Sequence, residues 1–358
     1  MSTEEQDGKN EGPFPSFSML DLMVSARNID YAFLYNGVRF HVGIKAEDLH
    51  GPGDILQEFN AFKDDIDAPD TLYQFEEWIL APLHSFIEKE APTPERGASK
   101  TVTLLQYFSP RTFAFSLVNK DGSLHAIQEE YNPEKYGDLS PRTQIVDALS
   151  DSPPNPGNRR TETILRSSLP HVPLIAASEL ERVGTDLKDF ELSDIPKKVR
   201  RLGSSEPLFF KAGFKDHGHK RELDILDQIH RNAAKFDPPI RTSKLIGLVV
   251  WDESQTCLMG FLLEYIHGKT LRSRSRDASE ALRRKWMDQV EATVRQLHEI
   301  GIIWGDVKPD NVMIDSDEEA VVIDFGGGYT PEYIPQELQQ TAQGDLIGLE
   351  HMRASMGI

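Results

Sequence analysis

The chain of 358 residues has a single cysteine, Cys257. No intrachain disulfide can form, metal motifs built on several cysteines are excluded, and a reducing compartment is expected. Long apolar runs are also lacking. The stretch 245–251 is among the longest, and it is far too short to cross a bilayer. Residues 1–16 are polar and acidic, without the basic start and apolar centre of a signal peptide. The expectation is a soluble, cytoplasmic protein with no membrane partner, disordered over 1–16. Positive charge is scarce: 39 basic side chains face 58 acidic ones, for a net charge of −19. Such a surface repels nucleic acid as a whole, so DNA is not an expected partner. There are no internal repeats.

The charge is unevenly placed. Residues 1–150 carry 12 basic and 25 acidic side chains, residues 151–300 carry 25 and 22, and residues 301–358 carry 2 and 11. The basic groups of the middle segment include Lys197, Lys198, Arg200 and Arg201, and a second run from Arg272 to Lys285. They read either as solvated helix and strand edges or as a local phosphate-binding face.

Hydrophobic content of 39% and charged content of 27% are ordinary for a globular chain, and the length suits two domains. Residues 17–131 read as an α+β unit of unknown role. Helical spacing runs over 54–65 and 71–89, where Phe75, Trp78, Ile79, Leu83 and Phe86 share a face. Strand-like runs follow at 101–108 and 111–118, and Asp121-Gly122 supplies the turn to a partner strand at 124–128. His41, His50 and His84 are scattered and read as surface or packing histidines. Residues 132–170, with Ser152-Pro153-Pro154-Asn155-Pro156-Gly157, read as a linker. From about 171 the order is strands, a helix at 219–231, strands at 245–251 and 257–264, and a helix at 280–299 stopped by Gly301. A loop and a hairpin follow.

The chemistry is concentrated near the end. Asp306-Val307-Lys308-Pro309-Asp310-Asn311 is followed, thirteen residues after Asn311, by Asp324 of Val321-Val322-Ile323-Asp324-Phe325-Gly326. A loop presenting Asp306 as a base, Lys308 as a cation and Asn311 as a neutral oxygen ligand is thus joined by a hairpin to a second carboxylate. These segments resemble the catalytic loop and metal-binding loop of protein kinases. The resemblance implies a two-lobed kinase-like domain over 171–358, with a small lobe at about 171–264 and a shortened C-lobe at about 265–358. The fold class is α+β, with the separate N-terminal unit in front. Lys211, ending an apolar strand, resembles the family's phosphate-binding lysine, Glu222 its helix partner, and residues 261–265 the hinge. Three features depart from the family. Lys197–Glu206 offers only Gly203 where a glycine-rich loop is sought, Trp304-Gly305 replaces the usual His-Arg, and the chain ends soon after Asp345-Leu346-Ile347-Gly348, which resembles the start of the central C-lobe helix.

The whole chain also resembles two fungal groups: kinase-like proteins without an assigned activity, and arginine-containing cyclodipeptide synthases. A retained catalytic loop, a missing glycine loop and a shortened substrate lobe favour the second. That resemblance implies an arginine-containing diketopiperazine made from arginyl-tRNA and a second aminoacyl-tRNA, in secondary metabolism and with no cofactor. Asp306, Lys308 and Asn311 would be catalytic, and Asp310, Asp324, Lys211 and Glu222 would bind substrate. The alternative is a phosphotransferase using ATP and Mg²⁺, acting on a small molecule or as an atypical protein kinase, with Asn311 and Asp324 as metal ligands. A second alternative is a non-catalytic kinase-like scaffold.

Overall fold

The computed structural model describes residues 17–92, 102–132, 141–146, 163–183, 197–213, 218–252 and 254–358. The disorder expected over 1–16 lies outside them. The chain divides into two compact units, and the described residues 17–132 fall in the first and those from 141 onward in the second.

The N-terminal unit opens with a meander, β1 (Phe17–Val24), β2 (Asn28–Tyr35) and β3 (Val38–Lys45). Three helices follow: α1 (Ile55–Asp64), α2 (Pro69–Leu80) and α3 (His84–Glu90). The short α4 (Leu104–Phe108) leads to β4 (Arg111–Lys120) and β5 (Ser123–Glu129). The sheet order is β1-β2-β3-β4-β5, and β4 runs parallel to β3 because the helices carry the chain back across the sheet. Alternation along the strands turns Ile29, Tyr31 and Phe33 of β2 and Phe40, Val42 and Ile44 of β3 into one core with Phe59, Phe75, Ile79 and Leu83. Within the run at 101–108, Leu104–Phe108 form a helix and not the expected strand. Thr103 Oγ1 accepts from the Gln106 amide (3.2 Å), Gln106 Oε1 accepts from the Thr103 amide (3.1 Å), and this reciprocal cap starts a turn at once. His41 is buried on the sheet, and burial, aided by Arg39, lowers its pKa to about 4.

The second unit starts earlier than the sequence suggests. Within the stretch read as a linker lie β6 (Thr143–Val146) and β7 (Thr163–Leu165), whose Ile145 and Ile164 enter the main core of this unit. The Pro- and Ser-rich composition of the region obscured these two short apolar strands. They are followed by β8 (Leu174–Ala176), β9 (Leu180–Arg182), β10 (Lys198–Arg201) and β11 (Pro207–Ala212). Helix α5 (His219–Asn232) comes next, then β12 (Leu245–Trp251) and β13 (Ser254–Glu264). The sheet runs β7-β6-β13-β11-β10-β9, with β12 on β13 and β8 parallel to β12. This is the small lobe.

The other lobe holds β14 (Gly268–Thr270), α6 (Leu271–Arg274), α7 (Glu280–Glu299), β15 (Val312–Asp315), β16 (Ala320–Val322) and α8 (Ala342–Ser355). Ser279 caps α7 by accepting from the Leu282 amide (3.3 Å). The α7 stripe Trp286, Val290, Val294 and Leu297 packs with Ile314, Val322, Leu349 and Met352. No helix among the described residues is long and apolar enough to cross a membrane.

Candidate active site

Strand β11 lies between β10 and β13, with Lys211 opposite Phe261. Phe210 is buried on one face of the sheet, so the pleat turns Lys211 to the other. There its ammonium meets two carboxylates, Glu222 Oε2 of α5 at 2.5 Å and Asp324 Oδ1 at 3.0 Å. Burial opposes the Lys211 charge, but Glu222 and Asp324 outweigh it and hold its pKa above the usual lysine value. Burial also opposes ionisation of Asp324, and Lys211 again outweighs it, leaving this carboxyl below the usual range. Glu222 goes the other way. It is almost wholly buried, and burial outweighs Lys211 to raise its pKa. One cation shared by two carboxylates leaves the deeper one under-compensated. Asp324 itself has φ +62, a left-handed conformation that aspartate tolerates better than most residues but at some cost.

The catalytic loop is fixed from beneath. Asp345, fully buried in the first turn of α8, accepts from the Trp304 amide (2.9 Å) and the Gly305 amide (2.8 Å) and pairs with His298 Nε2 (2.8 Å). Trp304 is itself buried, and its indole donates to Ile323 O at 3.1 Å. Asp306 follows, with both carboxylate oxygens engaged. Oδ1 accepts from Thr330 Oγ1 (2.8 Å), and Oδ2 accepts from Asn311 Nδ2 (3.0 Å) and pairs with Lys308 Nζ (2.6 Å). Asn311 Nδ2 also donates to Asp306 O at 3.0 Å. Facing two acceptors fixes the nitrogen of this amide, so Asn311 Oδ1 is left as an acceptor. The Ile323 amide donates to Asn311 O (3.0 Å), which ties the residue before Asp324 to the catalytic loop.

Six of the seven side chains singled out from the sequence are therefore linked: Lys211, Glu222 and Asp324 in one group, Asp306, Lys308 and Asn311 in the other. The seventh, Asp310, is not part of either. Both its oxygens are taken by Arg272 Nε, at 2.9 and 2.6 Å, and Arg272 Nη2 reaches Tyr333 Oη at 3.4 Å. A carboxylate expected to bind substrate is thus already paired with an arginine of the same chain. Part of the basic segment is paired as well: Arg200 with Glu181, Lys220 with Asp224, Arg274 with Glu318 and Lys285 with Glu319. Lys197–Glu206, where a glycine-rich loop is sought, spans β10 and its link to β11; residues 184–196, between β9 and β10, lie outside the described residues. Sequence reading missed Asp345 as a support for the loop, and also Thr330 and Arg221. Their partners lie 24 to 119 residues away, and no local pattern marks them.

Comparison with known proteins agrees with this geometry. A family model described as protein kinase domain matches residues 222–341. Serine/threonine-protein kinase PKH1 of Saccharomyces cerevisiae is 38% identical over 87 residues, 24% of this chain and 11% of that protein. Serine/threonine-protein kinase PKH3 of Eremothecium gossypii is 42% identical over 57 residues, 16% of this chain and 8% of that one. Serine/threonine-protein kinase ppk34 of Schizosaccharomyces pombe is 25% identical over 160 residues, 44% and 40% of the two chains. The chain thus spans about a tenth of the first two relatives and two fifths of the third.

These matches overturn the expectation of an arginine-containing cyclodipeptide synthase, and with it the aminoacyl-tRNA partners and the diketopiperazine product. The motif that suggested the synthase, Asp306 to Asn311, is one that kinases share, and Asp310, expected to bind substrate, is paired with Arg272. With a strand-rich small lobe, a helical lobe and both signature loops between them, the C-terminal unit is a two-lobed kinase-like domain.

Proposed function

We propose that the protein is a phosphotransferase that moves the γ-phosphoryl group of ATP, with Mg²⁺, to a hydroxyl acceptor. The observation that carries this reading is the Lys211 ammonium shared between Glu222 and Asp324, in the same domain as the Asp306–Lys308–Asn311 group. The donor set suits Mg²⁺: Asp324 supplies a carboxylate held ionised and Asn311 a neutral amide oxygen, both hard ligands. Bound Mg-ATP would supply the activated phosphoryl group. Asp324 and Asn311 would hold the metal, and Lys211 would hold the phosphates. Asp306 orients the acceptor hydroxyl and takes its proton. Lys308, 2.6 Å from Asp306, neutralises charge on the group in transit. The three relatives are serine/threonine-protein kinases, so a seryl or threonyl hydroxyl is the acceptor class proposed here. A cytoplasmic setting, where ATP and Mg²⁺ are at hand, goes with this reading.

The test is transfer of labelled γ-phosphoryl to a panel of protein acceptors, with and without Mg²⁺. Mg²⁺-dependent labelling that Asp306→Asn abolishes is the expected result. No Mg²⁺-dependent ATP binding, or labelling that Asp306→Asn leaves intact, overturns the proposal.

A further inference from the structure

One side chain joins α5 to both functional loops. Arg221 stands directly before Glu222. Its Nη1 donates to Phe325 O, next to Asp324, and its Nη2 donates to Ile303 O (2.8 Å), Trp304 O (3.4 Å) and Gln340 Oε1 (2.9 Å). Ile303 and Trp304 lead into Asp306. Three of these four acceptors are main-chain carbonyls, so the guanidinium holds backbone directly. A planar fork with donors on both sides is suited to spanning two loops at once, which a lysine ammonium is not.

Two further observations support the same point. Gly305 has φ +92, and a Cβ there would stand 2.5 Å from the Gln340 amide. The missing side chain before Asp306 is therefore what gives Gln340 its place, and Gln340 uses it to accept from Arg221 and to donate to Gly328 O (2.8 Å). At the start of α5, a Cβ on Gly218 would lie 2.2 Å from Gly326 O, so the helix abuts the metal loop with no room between them. The first turn of α5 thus meets the metal loop through Gly218 and Arg221, and Arg221 extends the contact to the catalytic loop.

We propose that Arg221 is a positioning residue for phosphoryl transfer. It holds α5, the catalytic loop and the metal loop in the one register in which Lys211, Asp324 and Asp306 serve the same substrate, using the place opened by Gly305 and occupied by Gln340. This rests on the phosphotransferase reading. Misplacement of a reacting group by about 1 Å costs on the order of 100-fold in rate, so Arg221→Ala is expected to lower kcat by at least about 30-fold with KM for ATP changed far less. Arg221→Lys, which can reach only one loop, restores a minor part. Millimolar guanidinium, well below denaturing concentrations, restores kcat to Arg221→Ala several-fold and does nothing for Asp306→Asn.

A second readout does not depend on activity: amide hydrogen exchange at residues 304–306 and 325–328. It is expected to quicken in Arg221→Ala and to slow again with guanidinium. Unchanged exchange, or a kcat near wild type, or a loss that guanidinium does not reverse, overturns the inference. If the wild-type protein transfers no phosphate but the exchange pattern holds, the clamp stands and the phosphotransferase reading falls.

Discussion

The large side chains fully buried in the N-terminal unit are Tyr31, Phe33, Phe40, Phe59 and Phe75. The C-terminal unit buries Trp251, Trp286 and Trp304 in the same way, but also the carboxylates of Glu181, Glu222, Asp227, Asp306 and Asp345. Among the described residues of the first unit the buried polar side chains are Arg39 and His41, and His41 is neutral there. A buried carboxylate costs several kcal/mol unless donors meet it, and apolar replacements are often no less stable. Glu181 is met by Arg200 and Asp227 by Arg231 and His171. The other three carry the cleft: Asp345 supports the catalytic loop, Asp306 is on it, and Glu222 takes Lys211. The first interior is built mainly of apolar and aromatic side chains, while the second also holds carboxylates in place, at a cost in stability.

That contrast can be broken at Asp345 first. Asp345→Ala strands the Trp304 and Gly305 amides and leaves His298 facing a hole. A loss of about 3–5 kcal/mol is expected, read by urea unfolding, together with loss of phosphotransfer well below the midpoint. A loss under about 1 kcal/mol would mean that the loop is held by something else. In the apolar unit, Phe75→Ala removes a ring packed edge-on to Tyr31 at 5.8 Å. It is expected to cost about 3–4 kcal/mol and to leave the pH dependence of phosphotransfer as it was. A shifted pH profile would remove the distinction between the two interiors.

Glu222 sharpens the contrast by acting in opposite directions on stability and activity. Its raised pKa means that the folded state favours the protonated carboxyl, a stabilising contribution present at acid pH and lost as pH rises through the raised value. Near neutral pH, Glu222→Gln is therefore expected to melt no lower than wild type, and at the same time to transfer phosphate more slowly because Lys211 loses a partner. Wild-type activity should fall on the acid side above the ordinary glutamate pKa, as Glu222 protonates, and Glu222→Gln should abolish that limb. Asp324 has the opposite sign: its contribution is present above the ordinary aspartate value and lost as pH falls through the lowered one. A Glu222→Gln protein that is both less stable and unchanged in pH profile would contradict this assignment. The smallest effect belongs to the surface. Lys244 and Glu264 pair at 3.1 Å with both side chains exposed, so Lys244→Ala is expected to cost under about 1 kcal/mol.

Much of the helical lobe was legible in the sequence because its signals are local. Helical spacing over 280–299 with Gly301 behind it coincides with the bounds of α7, and the spacing of Asn311 and Asp324 already implied the hairpin of β15 and β16. What was hidden is short or long-range. β6 and β7 are four and three residues long, too few to show a period in a Pro-rich stretch. α4 spans five residues, and only its cap distinguishes it from a strand. Asp310 stood in the catalytic motif, yet its partner Arg272 lies 38 residues upstream, so its occupancy could not be read from the motif. Arg221 and Asp345 escaped for the same reason: their roles exist only once three separate segments meet.

The most direct test of the division of labour in the cleft is to measure Mg-ATP affinity and phosphoryl transfer together in Asp306→Asn and Asp324→Asn. Asp306→Asn is expected to bind Mg-ATP within a few-fold of wild type and to lose transfer by about 100-fold or more, while Asp324→Asn loses both. Transfer that survives Asp306→Asn, or Mg-ATP affinity that survives Asp324→Asn, would contradict it.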